Sequence, residues 1–332
     1  MHRRAAPIRP PRARISTPGP ETRDFWFYPF FRMDIALMVE GQDGLNWDRW
    51  IKIARTAEEV GFVGLYRSDH FTNPVGPFKD SLECWMSLAY LATNTRHLEF
   101  GPLVSPVSFR HPAMLVRQAA ALADLSGGRL QFAIGAGWQD REHTNYSYHL
   151  GSLQERMVRF REAVQIMAHL LRNDAPLDFD GQHYQMHEAV LLPRPKHRVP
   201  IVIGGGGRQV TLPLIAKYAD EWNSGPREPA DFAELSAYLD ALLEKAGRPK
   251  QAVRRSMMIF LRTGRHQNDL DRRLAAKPAP QGMRNLFIGT HAQLQERLKH
   301  LEAAGVQRAI LNWWDDFDDV DGMAELGRAV LI

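Results

Sequence analysis

The stretch Leu125-Ser-Gly-Gly-Arg-Leu-Gln-Phe-Ala-Ile-Gly-Ala-Gly-Trp138 passes from a helix to a strand to a loop without a spare residue. The Gly127-Gly128 pair stops the helix, because a residue without Cβ enters the left-handed conformation of a helix end at little cost. Leu130–Ile134 reads as a short apolar strand, and Gly135-Ala-Gly137 opens it into a loop. The loop's continuation to His143 carries Asp140, Arg141, Glu142 and His143. Pliable backbone beside clustered ionisable groups at a strand's end is how an active site is built on an α/β scaffold.

Outward from that stretch, strands alternate with helices. Strands are expected at 34–39, 63–67, 98–104, 130–134, 201–203, 221–223, 257–261 and 309–312. In the first helix, Trp47, Trp50, Ile51 and Ala54 fall on one face at i, i+3, i+4, i+7 spacing. Pro112 opens another at a position where its missing N–H does no harm. Further helices are expected over 80–93, 153–171, 210–218, 231–246, 292–304 and 320–330. Eight strand–helix units in order predict a (β/α)8 TIM barrel. Two stretches interrupt it. Residues 173–200 contain an Asp180-Gly181 turn between apolar runs, which predicts a hairpin inserted before strand five. Residues 266–281 are polar and hold prolines, which predicts a mobile loop after strand seven.

Composition narrows the function classes. The chain has 332 residues, 44% hydrophobic and 24% charged, enough for a full core. Its net charge of +4 is unevenly placed. Residues 1–32 hold seven arginines against Glu21 and Asp24, so the body nets to −1. A neutral body argues against nucleic-acid binding. The Arg/Pro-rich leader lacks the apolar core of a secretory signal, and Met33 stands just before the first strand. The leader therefore reads as sequence upstream of a later start, expected to be disordered, with residues 33–332 as the one domain. A single cysteine, Cys84, rules out an internal disulfide and suits a reducing, cytoplasmic setting. No apolar run is long enough to span a membrane.

On a barrel the loops after the strands share one rim. Strand two runs into Ser68-Asp69-His70-Phe71, strand three into Leu103-Val104, and strand five into Gly204-Gly-Gly-Gly-Arg208. Consecutive glycines before a helix let amide groups approach an anion, so Gly204, Gly205, Gly206 and Gly207 with Arg208 are candidates for holding a phosphate; a tight turn with no ligand is the alternative. Asp69-His70 is either an oriented proton-transfer pair or a helix cap beside a core histidine. Adjacent residues diverge in direction, so the pair is a poor metal site, and no metal is expected. Glu142-His143 belongs either to the pocket or to a solvated loop.

Taken together these blocks resemble the bacterial luciferase-like superfamily of flavin- and deazaflavin-dependent oxidoreductases. The matching segments are Glu40-Gly-Gln-Asp-Gly44, Arg67-Ser-Asp-His-Phe71, Phe109-Arg-His-Pro112, Leu125-Ser-Gly-Gly-Arg129, Gly135-Ala-Gly-Trp138 with Arg141-Glu-His143, Asp180-Gly-Gln-His-Tyr184, Ile203-Gly-Gly-Gly-Gly-Arg208 and Tyr218-Ala-Asp-Glu-Trp-Asn223. They occur in family order over roughly residues 33–312, and are most similar to the branch that uses coenzyme F-420. The resemblance implies that His70 sits near the reactive carbon of the cofactor ring. It also implies a non-proline cis peptide near Leu103-Val104 behind the ring, cofactor contacts from Gly135, Gly137 and Trp138, and a phosphate on the Gly204–Arg208 loop. Relatives commonly form homodimers. One departure is informative: the sugar-phosphate dehydrogenases of the superfamily carry a proton-donating Glu where this chain has Trp138, which points to a less polar substrate.

The sequence thus leads to hydride transfer between F-420 and a small organic substrate, with His70 assisting proton movement, Asp69 orienting it, and Glu142 as a proton donor or acceptor. One alternative keeps the fold and uses reduced FMN with oxygen, as a monooxygenase fed by a separate flavin reductase. Another is a non-catalytic flavin-binding barrel.

Overall fold

The computed structural model describes residues 33–279 and 285–331. The expected disordered leader, 1–32, lies outside them. Among the described residues, eight parallel strands form the barrel: β1 (Asp34–Val39), β2 (Gly64–Arg67), β3 (Glu99–Pro102), β4 (Phe132–Gly135), β5 (Ile201–Gly204), β6 (Glu221–Ser224), β7 (Arg254–Gly264) and β8 (Arg308–Trp313). Neighbours in sequence pair in parallel, and β8 pairs back onto β1 with Asp34 opposite Arg308. An additional strand, Phe287–Thr290, pairs with the end of β7. The (β/α)8 expectation holds.

Closure between β3 and β4 explains why the third strand is shorter than expected. A bridge joins Phe100 to Leu130, and the backbones meet so closely that a Cβ on Gly101 would stand 2.1 Å from the Gln131 carbonyl oxygen. Past Pro102 the chain leaves the sheet. It rejoins β4 only at Ser105–Pro106, which pair with Ile134 and Gly135. Leu103 and Val104 occupy the gap, joined by the expected non-proline cis peptide. Val104 reaches across the barrel mouth. A Cβ on Gly135 would lie 2.5 Å from Val104 Cγ2, and one on Gly204 2.9 Å from Val104 Cγ1. Both glycines are required by this close approach.

Below this level Ala36, Met38, Tyr66, Leu103, Ala133, Val202 and Ile310 pack together inside the strands. The N-terminal end is sealed by Arg308, which is buried and donates to the Tyr66 hydroxyl at 2.7 Å and to Glu221 at 3.2 Å, with Glu99 as a further partner. A buried guanidinium with several oxygen partners ties β2, β3, β6 and β8 together.

The inserted hairpin is present, as Leu177–Asp180 against Gln185–Ala189. Its connection is not the tight Asp180-Gly181 turn of the expectation but Gly181 to Tyr184. The amides of Gln182, His183 and Tyr184 all donate to the Glu162 carboxylate on the Leu153–Arg172 helix, at 2.8, 2.8 and 3.2 Å. That carboxylate pins the hairpin to the barrel, while the Gly181 amide closes the turn on the Tyr184 carbonyl at 2.9 Å. The segment after β7 also differs from expectation. It contains a helix, Gln267–Ala276, whose buried Asp269 accepts from the Arg265 amide at 3.0 Å and pairs with Arg272 and Arg273. Residues 280 and 281 of that segment lie outside the described residues. Another helix begins later than expected, at Cys84, where the Glu83 carboxylate caps it by accepting from the Met86 amide at 2.6 Å.

The contact at the barrel mouth is directly testable. Gly135→Ala forces a methyl group into Val104, and overpacking of this kind costs about 1–3 kcal/mol. Denaturant unfolding is expected to show that loss, and Val104→Ala in the same chain to recover part of it. A neutral Gly135→Ala would mean that Val104 does not hold this position.

Candidate active site

The C-terminal ends of the strands surround one cavity of about 550 Å3, within the range of small-molecule sites. Its walls are largely apolar: Met38, Leu103, Val104, Trp138, Met157, Met258, Phe260 and Trp314. Polar groups enter from Glu40, Ser68, His70, Glu142 and Asn223. Of the residues named from sequence, His70, Glu142, Leu103, Val104, Gly135, Gly137, Trp138, Gly204 and Gly205 all line it. Asp69, Gly206, Gly207 and Arg208 do not.

His70 leaves β2 into the cavity, with its carbonyl fixed by the Ser81 hydroxyl at 2.7 Å. Its Nδ1 meets Glu142 Oε1 at 2.7 Å, and Glu142 Oε2 accepts the Phe71 amide at 2.9 Å. One buried carboxylate therefore holds both the ring and the backbone beside it. Trp138 stands edge-on to the imidazole, with centroids 5.6 Å apart. Engaging Nδ1 leaves Nε2 as the nitrogen that can address a ligand.

Asp69 does not orient His70. It is buried on the other side of the strand end, accepting from Ser105 Oγ at 2.6 Å and Arg110 Nη1 at 2.5 Å. Adjacent residues of an extended chain point apart, so Asp69 clamps the Phe109-Arg-His-Pro112 block while His70 faces the cavity. Glu142 and His143 part for a different reason, since both sit on the short Asp140–Asn145 helix, where consecutive side chains point about 100° apart. His143 is buried between Ser108 Oγ and the Gln139 carbonyl, each 2.7 Å away, so it braces the loop. On the glycine loop, Arg208 turns outward to pair with Glu234 and lies over the Tyr238 ring at 4.9 Å.

Sequence reasoning missed Glu40 as a site residue. It lines the cavity with both oxygens engaged, Oε1 accepting from Asn312 at 2.8 Å and Oε2 from Gln42 at 2.9 Å. Its position at the end of the first strand was the available signal. Burial pulls the His70 pKa down, but the hydrogen bond it donates to Glu142 and the charges of Glu142, Glu40 and Asp69 outweigh this and hold it above its ordinary value. The imidazolium form is thereby favoured.

The description "luciferase-like monooxygenase" fits a family model that matches residues 30–309, and the chain belongs to that family. The F-420-dependent hydroxymycolic acid dehydrogenase of Mycobacterium tuberculosis is 27% identical over 281 residues, covering 83% of this chain and 74% of that protein. The F-420-dependent glucose-6-phosphate dehydrogenase of Nocardia farcinica is 34% identical over 180 residues, covering 53% of this chain and 51% of that protein. The chain thus matches about half the length of such glucose-6-phosphate dehydrogenases. Among solved structures, an F-420-dependent secondary alcohol dehydrogenase in complex with an F-420–acetone adduct superposes with a TM-score of 0.77 at 20% identity, covering 90% of this chain and 99% of that one. EDTA monooxygenase from Chelativorans does so with 0.75 at 15% identity, covering 91% and 93%. At those identities the structural likeness speaks for the fold.

Removing the charge behind His70 tests the electrostatic arrangement. Glu142→Gln is expected to lower the His70 pKa, read by NMR titration of the imidazole. The folded pKa exceeds the unfolded value of about 6.5. The pair's contribution to stability is therefore complete below about pH 6.5 and is lost as the pH rises through the folded pKa. The stability gap between the parent chain and Glu142→Gln should narrow with rising pH. A gap that widens over that window would contradict the assignment.

Proposed function

We propose that this family member is an oxidoreductase that moves a hydride between coenzyme F-420 and a small organic substrate, with His70 managing the accompanying proton. The observation that carries the reading is His70 facing an apolar cavity with its Nδ1 held by buried Glu142. Named relatives that act with F-420 support the choice of cofactor.

The residues present fit a flat ring. Gly135 and Gly204 leave open the space that Val104 enters, so Leu103 and Val104 form a shelf inside the cavity instead of filling the barrel mouth. Leu103 and Val104 would back the ring, Gly137 and Trp138 would flank it, and the loop from Gly204 would carry the phosphate. When bound, the deazaflavin supplies a two-electron hydride carrier with carbon in place of the flavin N5, which reacts poorly with oxygen.

The chain's own part is proton handling and exclusion of water. With Nδ1 bonded to Glu142, a protonated His70 can donate from Nε2 to a substrate oxygen as the attached carbon gains hydride. In the opposite direction the neutral ring accepts the alcohol proton, and Glu142 balances the charge that results. Trp138, Met157, Phe260 and Trp314 leave little to solvate a polyol, which favours a simple carbonyl or alcohol over a sugar phosphate. Reduced FMN with oxygen is the competing reading, since monooxygenases share this fold.

The wider proposals are that residues 33–332 form one such domain and that the chain acts in the cytoplasm as a homodimer. A separate flavin or deazaflavin reductase would renew the cofactor. Among the described residues no helix is long and apolar enough to cross a membrane.

His70→Ala is expected to lower kcat by about 10²- to 10⁴-fold while F-420 binding changes little. The readouts are steady-state deazaflavin absorbance and a separate binding titration. Unchanged turnover would remove His70 from the chemistry.

A further inference from the structure

We propose that Arg227, in the loop after β6, is the cation that clamps a phosphate ester onto the glycine loop, the role that sequence order suggested for Arg208. The inference rests on the cofactor reading above and specifies how its anionic group is held.

The two arginines face opposite ways. Arg208 is spent on Glu234 and Tyr238 outside the barrel. Arg227 comes to the loop from the next strand end, and its Nη2 lies 2.5 Å from where a Cβ on Gly206 would stand. The guanidinium therefore packs on bare backbone, an approach that any other residue at 206 would block. Its Nε donates to Ser224 Oγ at 3.0 Å, which fixes the plane of the fork. Among the described residues Arg227 has no carboxylate partner. The acid beside it, Glu228, is taken by Arg297 at 2.8 Å. A half-buried, oriented and uncompensated cation lying against glycines calls for an anion.

The loop supplies the complementary donors. The Gly205 amide is committed to the Asn223 carbonyl at 3.0 Å, but the amides of Gly206 and Gly207 reach no acceptor among the described residues. The Thr211–Tyr218 helix begins just beyond, so its positive end faces the same space. Gly204, Gly205, Thr211 and Gly225 line the main cavity, so the first half of the loop opens onto it, while Arg227 lines a neighbouring cavity beside Met257 and Ile259 of β7. A tetrahedral phosphate presents several acceptor oxygens at once, and two amides with a planar arginine fork match that geometry better than an ammonium would. The ligand class is a phosphate mono- or diester borne on the side chain of a tricyclic ring, which F-420 and FMN both carry.

The test compares ligands with and without that ester, and a chromophore bearing only a phosphate monoester separates the phosphate from what the diester carries beyond it. Fluorescence titrations use F-420 and its chromophore with the phosphate removed, on the parent chain, Arg227→Ala, Arg227→Lys and Arg208→Ala. Arg227→Ala is expected to weaken F-420 by about 10- to 100-fold, the range for a lost charge-assisted contact. The phosphate-free chromophore should bind unchanged, which also shows that the variant is folded. Arg227→Lys should recover only part of the loss, and Arg208→Ala should bind both ligands like the parent. Equal weakening of both ligands by Arg227→Ala, or a larger loss from Arg208→Ala, would overturn the proposal. If the parent chain binds FMN but not F-420, the same comparison with FMN and riboflavin tests Arg227 although the F-420 reading has failed. A parent chain that binds no phosphate ester overturns both.

Discussion

Val104 stands where Cβ atoms on Gly135 and Gly204 would otherwise be, and that single exclusion shapes the functional end of the molecule. Here the third strand leaves the sheet after Pro102 and returns at Ser105, so two apolar residues project as a shelf while the sheet still closes on both sides. The two glycines belong to neighbouring strand ends, and each opens into a loop that carries site residues. The constraint that closes the barrel also sets the distance between the shelf, the His70 side and the glycine loop.

Charge is arranged differently at the two ends. At the N-terminal end Arg308 is buried against Tyr66, Glu221 and Glu99, and both of its terminal nitrogens are spent on them. At the C-terminal end Glu142 spends one oxygen on the Phe71 amide and one on His70, and the far nitrogen of the ring is left facing the cavity. A buried charge is tolerated only when it is paired and hydrogen-bonded. At one end of the barrel that requirement gives a seal, and at the other an oriented imidazole.

The fold was legible because it is written in local signals. Periodic apolar runs and glycine punctuation placed the eight strands to within a few residues, and the order of strand and helix left little topological choice. The partners of the site residues were not legible in the same way. Asp69 is the sequence neighbour of His70, yet extended backbone sends the two side chains apart, and the true partner, Glu142, lies beyond two further strands. Arg208 follows the glycine loop in sequence and points away from it, while Arg227 approaches from the next strand end. The Gln267–Ala276 helix was hidden by its polarity: the ion pair that steadies it, Arg273 with Asp319 at 2.7 Å, comes from the chain's last loop. The Asp180-Gly181 turn was masked in the same way, because Glu162 on a different helix takes the amides that a tight turn would have used.

The deazaflavin site proposed for this barrel mouth is open to direct measurement. Parallel fluorescence titrations of the purified chain with F-420 and with FMN test it most directly. Tight, saturable binding of F-420 and markedly weaker binding of FMN are expected. A preference for FMN would contradict the proposal and make the chain an oxygen-using flavin enzyme on the same scaffold, and failure to bind either would remove the cofactor assignment altogether.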